Sequence, residues 1–256
     1  MDRSHKQQKL EQTIAVLRQR YGESILRRVG EMEQIPLPPH ISTGFAPLDS
    51  LTGCGGIPLD GVTVLSGSAT SGKLTIGYKI LAMARTTSAL LDLGQSSDPD
   101  YLARCGVNLQ QTVFVRPESG EQAVDLLLEL VQGRQVQVVL VDSLADLMRE
   151  RKALRHLNRS LPHLRQLLRG SGCAVLVMDE AHPPWLRWLG LHSSFPVEQW
   201  TDVHIELGRE RWLYQHNRLQ GYRARARLIK SRWARRGGVA ALDIVFNGTV
   251  QARKSW

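Results

Sequence analysis

The stretch "SGSATSGKL", Ser66–Leu74, decides how the rest of the chain is read. Gly67, Gly72 and Lys73 meet the pattern G-x-x-x-x-G-K-[ST] of a phosphate-binding loop. In such a loop the backbone N–H groups across Ser68, Ala69, Thr70 and Ser71 surround phosphate oxygens, and the lysine reaches the outer phosphates. The last position departs from the pattern, because Leu74 stands where a magnesium-binding hydroxyl belongs. Before the loop, "VTVLSG" is apolar and β-branched; after it, "GKLTIGYKILAMA" is helical, so the helix dipole would favour the anion. The other half of such a site is an acid at the end of a neighbouring apolar strand. "VQVVLVDS" supplies Asp142, the candidate magnesium ligand through water, about 70 residues later. The competing reading is a glycine-rich turn in an unrelated α/β protein.

Working outward, short β-rich runs alternate with helical ones: "GVTVLSG", helix 72–85, "SALLDLG", helix 99–106, "QTVFVRP", helix 119–133, "VQVVLVDS", helix 150–170 and "CAVLVMDE". The runs "VVLV" and "AVLVM" do not alternate, as expected for strands buried on both faces of a parallel sheet. The pattern predicts an α/β domain with a mostly parallel sheet and helices on both faces. Upstream, Leu10, Ile14, Leu17, Tyr21 and Ile25 recur at helical spacing, predicting an amphipathic helix over 8–28 that needs a partner surface. The proline-rich "EQIPLPPHISTG" marks a boundary near residue 35. The expected division is a helix and linker over 1–34 and a core over 35–256.

At 256 residues and 42% hydrophobic, the chain can bury a full core. No apolar run is long enough to span a bilayer and "MDRSHKQQKLEQ" lacks a signal-peptide core, so a cytoplasmic location without membrane attachment is expected. Cys54, Cys105 and Cys173 are odd in number and without metal-ligand spacing, which favours buried free thiols. The net charge of +9 is local: residues 209–236 hold ten Lys/Arg and one acid, and the other 228 residues sum to zero. Within this segment "YRARARLI" alternates, so a strand would put Arg223, Arg225 and Arg227 on one face and Tyr222, Ala224, Ala226 and Leu228 on the other. Such a stripe suits a polyanion or is a solvated basic face; the pattern leaves both open.

The chain resembles the RecA/RadA recombinases in "ISTGFAPLDSLTGCGGIPLDGVTVLSGSATSGK", "DPDYLARCGVNLQQTVFVRPESGEQAVDLLLELV", "VQVVLVDSLADL", and "IKSR" followed by "LDIVFNGTV". The resemblance extends to "YGESILRRVGE" and so covers nearly the whole chain in order. It implies a RecA-like P-loop NTPase core that uses ATP and magnesium, with an N-terminal helix that packs on the next subunit in a filament or ring. The Asp and Tyr that hold adenine in the family correspond to Asp98 and Tyr101. The family's water-activating Glu falls on Gly94, and its γ-phosphate-sensing Gln on Glu180. Thr75 cannot replace the missing hydroxyl at 74, since one helical residue turns the side chain by about 100°. Two lysines donated across the family's subunit interface correspond to Lys230 and Arg232. The family's first DNA loop is shortened here to a basic helical stretch, "LMRERKALRHLNRSLPHLRQLLRGSG". The second falls on "HPPWLRWLGLHSSFPVEQW", where Trp185, Arg187, Trp188 and Phe195 suit base stacking or a contact with a neighbouring subunit.

The expected function is therefore ATP and single-stranded DNA binding in recombination or repair. Turnover should be weak or absent, since losing a catalytic base or positioning group costs on the order of 10²–10⁴ in rate. The alternatives are a degenerate, non-hydrolysing paralogue that regulates a recombinase or repair polymerase, and an active ATPase using a glutamate such as Glu180. The family's bacterial members often carry a C-terminal domain; "FNGTVQARKSW" ends with the core, so none is expected.

Overall fold

The computed structural model describes residues 2–21, 37–180, 197–246 and 249–252. These fall into two compact units, Met1–Leu37 and Pro38–Trp256. The first contains α1 (Asp2–Tyr21), which begins before the expected start at residue 8. Residues 22–28 of the expected helix lie outside the described residues. Leu10 and Val16 are exposed on α1.

The second unit runs β1 (His40–Ile41), α2 (Ala46–Thr52), β2 (Ile57–Pro58), β3 (Gly61–Gly67), α3 (Lys73–Ala82), β4 (Thr87–Asp92), α4 (Pro99–Arg104) and β5 (Thr112–Val115). It continues with α5 (Gly120–Gln132), β6 (Val136–Asp142), α6 (Leu144–Met148), α7 (Arg151–Leu168) and β7 (Ala174–Glu180). Then come α8 (Val197–Trp200), β8 (Val203–Gln215), β9 (Arg218–Ser231), β10 (Val239–Val245) and β11 (Thr249–Ala252). The single helix expected over 150–170 is α7, with the separate short α6 before it.

Apart from a small β1–β2 ribbon, the described strands form one nine-stranded sheet in the order β11-β10-β9-β8-β3-β7-β6-β4-β5. The half from β8 to β5 is parallel, and β8 to β11 are antiparallel. The β6 strand does not pair with β3 as its neighbour; β7 lies between them. Asp142 therefore stands two strands from the phosphate loop rather than one.

The uninterrupted apolar runs are explained by two cores, one on each face of the sheet. Along β6, Val138 and Leu140 enter the core that holds Leu48 of α2, Ile76 and Ile80 of α3 and Leu102 of α4. Val139 and Val141 enter the other, with Leu127 of α5, Leu144 of α6 and Leu157 and Leu161 of α7. Cys54, Cys105 and Cys173 are buried free thiols, as expected. No helix among the described residues is long and apolar enough to cross a membrane.

One carboxylate ties three parts of the unit together. Asp202, just before β8, is 3% exposed. It accepts from the backbone N–H of Val62 at 2.9 Å, from both terminal nitrogens of Arg165 on α7 at 2.5 and 2.9 Å, and from Nε of Arg232 at 2.8 Å. Removing one member of a buried ion pair leaves the other charge desolvated and uncompensated. Asp202→Ala should thus lower the unfolding free energy by about 3 kcal/mol in urea titration; a loss below about 0.5 kcal/mol, typical of a surface site, would contradict this account.

Candidate nucleotide site

Strand β3 is buried along its whole length and ends at Gly67; Ser68–Thr70 are exposed, and α3 starts at Lys73. The turn into the helix depends on Gly72, whose φ of +89° is left-handed. A Cβ there would lie 2.0 Å from Ile244 Cδ1 and 2.9 Å from the Tyr222 hydroxyl. The loop is thus pressed against β9 and β10, and only a residue without a side chain fits.

The buried Lys73 ammonium donates to the Gly67 carbonyl at 3.0 Å, folding back over the loop. The Ser71 hydroxyl is fully buried and has no hydrogen-bond partner. Ser71 N donates to the Ser68 carbonyl at 3.0 Å within the loop; a glycine-rich turn at a helix N-terminus with a lysine folded over it makes a phosphate cradle, so these residues fit a nucleotide's phosphates. The magnesium side is thinner. Leu74 packs on the core of α3, and the Thr75 hydroxyl is engaged with the Tyr101 hydroxyl at 2.7 Å.

Asp142 lies at the end of β6, in register with Asp92 on β4. Burial, then the Asp92 carboxylate, pushes its carboxyl up to about 6, with the Lys73 charge opposing and Asp146 adding to the rise. Asp92 is committed elsewhere: it is fully buried and accepts from Ser96 N, Ser97 N and Arg116 Nε. Asp142 is thus the sequence-predicted carboxylate that could hold a cation's water shell.

Gly94 is exposed and offers no base. A Cβ built there would lie 3.1 Å from Asp146 Oδ2. Sequence reading overlooked Asp146, although Ser143 and Asp146 have the S-x-x-D spacing of a helix cap. Ser143 Oγ donates to Asp146 Oδ2 at 2.7 Å and accepts from its N–H. Asp98 is exposed and caps α4 by accepting from Asp100 N at 2.9 Å, and Tyr101 lies one turn on, edge-on to Tyr78. Glu180 is exposed at the end of β7.

The basic residues divide by their partners. The alternation in β9 is as read, with Ala224, Ala226 and Leu228 buried and Arg225 and Arg227 exposed. The stripe is largely compensated, however, by acids outside the basic segment or across the hairpin. Arg223 forms a fork with Asp243, at 2.6 and 2.8 Å, and Arg225 Nε meets Glu210 at 2.5 Å. Among the described residues Arg227 makes no ion pair. Arg232 is held by Asp202 of its own subunit. An open cleft of about 750 Å³ joins the loop to this face, lined by Ser68, Glu206, Arg209, Glu210, Arg225 and Arg227. Trp185, Arg187, Trp188 and Phe195 lie outside the described residues.

The raised carboxyl of Asp142 sets a pH dependence. Its folded value of about 6 lies above its ordinary 3.8, so the folded state binds this proton more tightly and the ionised form opposes folding. Stability should fall as pH rises from about 4 to about 6 and stay low above that. Asp142→Asn should flatten this window and raise stability at pH 7.5 by at most about 3 kcal/mol, at 1.36 kcal/mol per unit; equal pH profiles for the two proteins in metal-free buffer would refute it.

Comparison with known proteins agrees with this geometry. The RecA N-terminal domain family matches residues 8–163. The chain is 25% identical over 262 residues to Protein RecA of Aquifex aeolicus, covering 95% of this chain and 76% of that protein. It is 27% identical over 265 residues to Protein RecA of Chloroflexus aurantiacus, covering 94% and 74%. In fold it is similar to the RadB recombinase, with a TM-score of 0.67 and 21% identity over 84% of this chain and all of that one. With the phosphate loop, the mostly parallel sheet and a family match over more than half its length, the chain belongs to the RecA family of recombinases.

Proposed function

We propose that this chain is a recombination or repair protein that binds ATP and single-stranded DNA and hydrolyses ATP slowly or not at all. Family membership supports the coarser part of this reading. The finer part rests on one contrast: the phosphate cradle is complete, while oxygen ligands are missing around it. Gly67–Lys73 would hold the phosphates, Asp98 and Tyr101 the base, and Asp142 the magnesium through water. Bound magnesium would neutralise phosphate charge. Position 74 offers only an aliphatic chain packed on the core, and position 94 only a hydrogen. ATP then serves as an assembly signal. DNA is held by the segment bearing Trp185, Arg187 and Trp188 and by the uncompensated part of the β9 stripe, and the chain works in the cytoplasm.

A second reading is favoured by the Arg223–Asp243 and Arg225–Glu210 pairs. Charges already matched within the subunit contribute less to polyanion binding, which suits a non-hydrolysing regulator of a recombinase or repair polymerase.

Calorimetry with ATP and magnesium, beside a phosphate-release assay with and without single-stranded DNA, tests the first reading. Binding should be measurable and lost in Lys73→Ala, and turnover should stay far below the roughly 1 s⁻¹ of ordinary enzymes; DNA-stimulated turnover at or above that rate would overturn it. Absence of DNA binding at low salt with ATP present would leave the regulator.

Assembly is the second expectation. Leu10 on α1 is 57% exposed, and a helix of this kind seated on the next subunit makes a head-to-tail ring or filament. In sedimentation, the full chain with ATP and DNA should form species larger than the monomer, and deletion of residues 1–34 should abolish them; a monomeric full chain would contradict the assembly.

A further inference from the structure

The surroundings of the phosphate loop divide by chemistry. On the side that meets an anion there are donors. Lys73 is 8% exposed, and its ammonium is folded over the Gly67 carbonyl at 3.0 Å. Ser71 is fully buried, and its hydroxyl has no hydrogen-bond partner among the described residues, so it is free to donate. A Cβ built on Gly67 would overlap that hydroxyl, which places the serine inside the loop rather than beside it. Helix α3, ten residues long, adds the positive end of its dipole.

On the side that would meet a cation, the side-chain oxygens are missing or already engaged. Leu74 follows Lys73 directly and packs on the core. Thr75 shares its hydroxyl with that of Tyr101 at 2.7 Å. Asp92 is fully buried and accepts from Ser96 N, Ser97 N and Arg116 Nε. Asp146 accepts from Ser143 Oγ at 2.7 Å and pairs with Arg149 at 3.2 Å. Gly94 has no side chain. Among the described residues, no group of three or more His, Cys, Asp or Glu is placed to hold a metal ion. Asp142 is left, and a carboxylate that reaches a cation through water makes no direct bond to it. Magnesium gives up its waters reluctantly and is held through one or two direct carboxylates together with the phosphates of its nucleotide.

We propose that this site binds its nucleotide without needing magnesium, and that Leu74 sets this independence. The inference rests on the reading of Gly67–Lys73 as an ATP site and changes what that site demands of its ligand. A metal carried by a nucleotide tightens binding only through what it adds between protein and phosphate, because a ligand shifts an equilibrium only by its difference in affinity. A hydroxyl at 74 would make that difference as a direct ligand; a leucine makes none. The electrostatic effects that remain oppose one another. Lys73 and the helix end attract the free polyphosphate more strongly than its metal complex, and Asp142 repels it more strongly. The free polyphosphate is therefore about as good a ligand as its magnesium complex.

The test is calorimetry of ATP binding by the full chain in excess EDTA and in excess magnesium, with thermal melts under both conditions. The two affinities should agree within about fivefold, which is about 1 kcal/mol, and ATP should raise the melting temperature in EDTA as it does with magnesium. Tightening by magnesium beyond that limit overturns the proposal. Leu74→Thr and Leu74→Ser, shown by melting to be folded, should acquire a magnesium dependence of about tenfold, the lower end of what one metal-supporting group contributes. Folded variants that stay indifferent to magnesium overturn the role given to Leu74. Binding in EDTA that survives Lys73→Ala would place the nucleotide away from the loop and overturn the proposal as well. If ATP binds in magnesium and not in EDTA, this inference falls and the ATP-binding reading stands; if it binds in neither, both fall.

Discussion

The close approach at Gly72 is the constraint on which the rest of the site depends. Strand β3 ends, the chain turns through a left-handed residue, and α3 begins while the turn lies against Ile244 on β10 and Tyr222 on β9. The parallel half of the sheet supplies the loop and the antiparallel half supplies the surface that fixes it. A methyl group at this point would overlap Ile244, so the loop lies this close to β9 and β10 only with a glycine there. A cleft lies between Ser68 and the β8–β9 hairpin. It puts the Gly67–Lys73 loop beside the face that bears Arg225 and Arg227, so a charge at one would be felt electrostatically at the other.

Around that fixed point Lys73 is folded over the loop, while positions 74 and 94 carry no side-chain oxygen. Lys73 folds over the loop, and its charge reaches Asp142. The Asp92 carboxylate, beside Asp142 in register, is neutralised by Arg116 and two backbone N–H groups and serves the loop that follows β4. The missing hydroxyl at 74 is replaced by packing rather than by another ligand, since Leu74 contributes to the core and Thr75 is bonded to Tyr101. The change at 94 has a counterpart in the neighbouring structure: with no side chain there, the Asp146 carboxylate occupies the adjacent space as part of the α6 cap. The departure at 74 is thus built into packed surroundings, and the one at 94 lies exposed beside the α6 cap.

Electrostatics in this chain are organised by pairing more than by composition. The segment 209–236 holds the whole formal excess of positive charge, yet three of its arginines, Arg223, Arg225 and Arg232, meet Asp243, Glu210 and Asp202. Two of those acids, Asp243 and Asp202, lie outside the segment. In α7, whose basicity is balanced elsewhere in the formal sum, Arg151, Lys152, Arg155 and Arg159 have no ion-pair partner among the described residues. For a polyanion the relevant quantity is the uncompensated charge at a surface, because only that charge displaces counterions.

The sequence by itself determined the layered α/β fold and the place of the phosphate loop. Both are local: unbroken apolar runs mark strands buried on two faces, and the glycine spacing with Lys73 has its meaning between any strand and helix. The vacancies at 74 and 94 were also legible, because a leucine and a glycine lack the needed oxygen in any fold. Only the tertiary structure decided what stands beside them. That β7 separates β6 from β3, that Asp146 lies next to Gly94, that Asp202 gathers Arg165 and Arg232, and that Arg223 and Arg225 of β9 are matched by Asp243 and Glu210, all depend on residues that the fold brings together. Strand order and ion pairing are set by which surfaces the fold brings within a few ångströms, and periodicity within a segment carries no record of that.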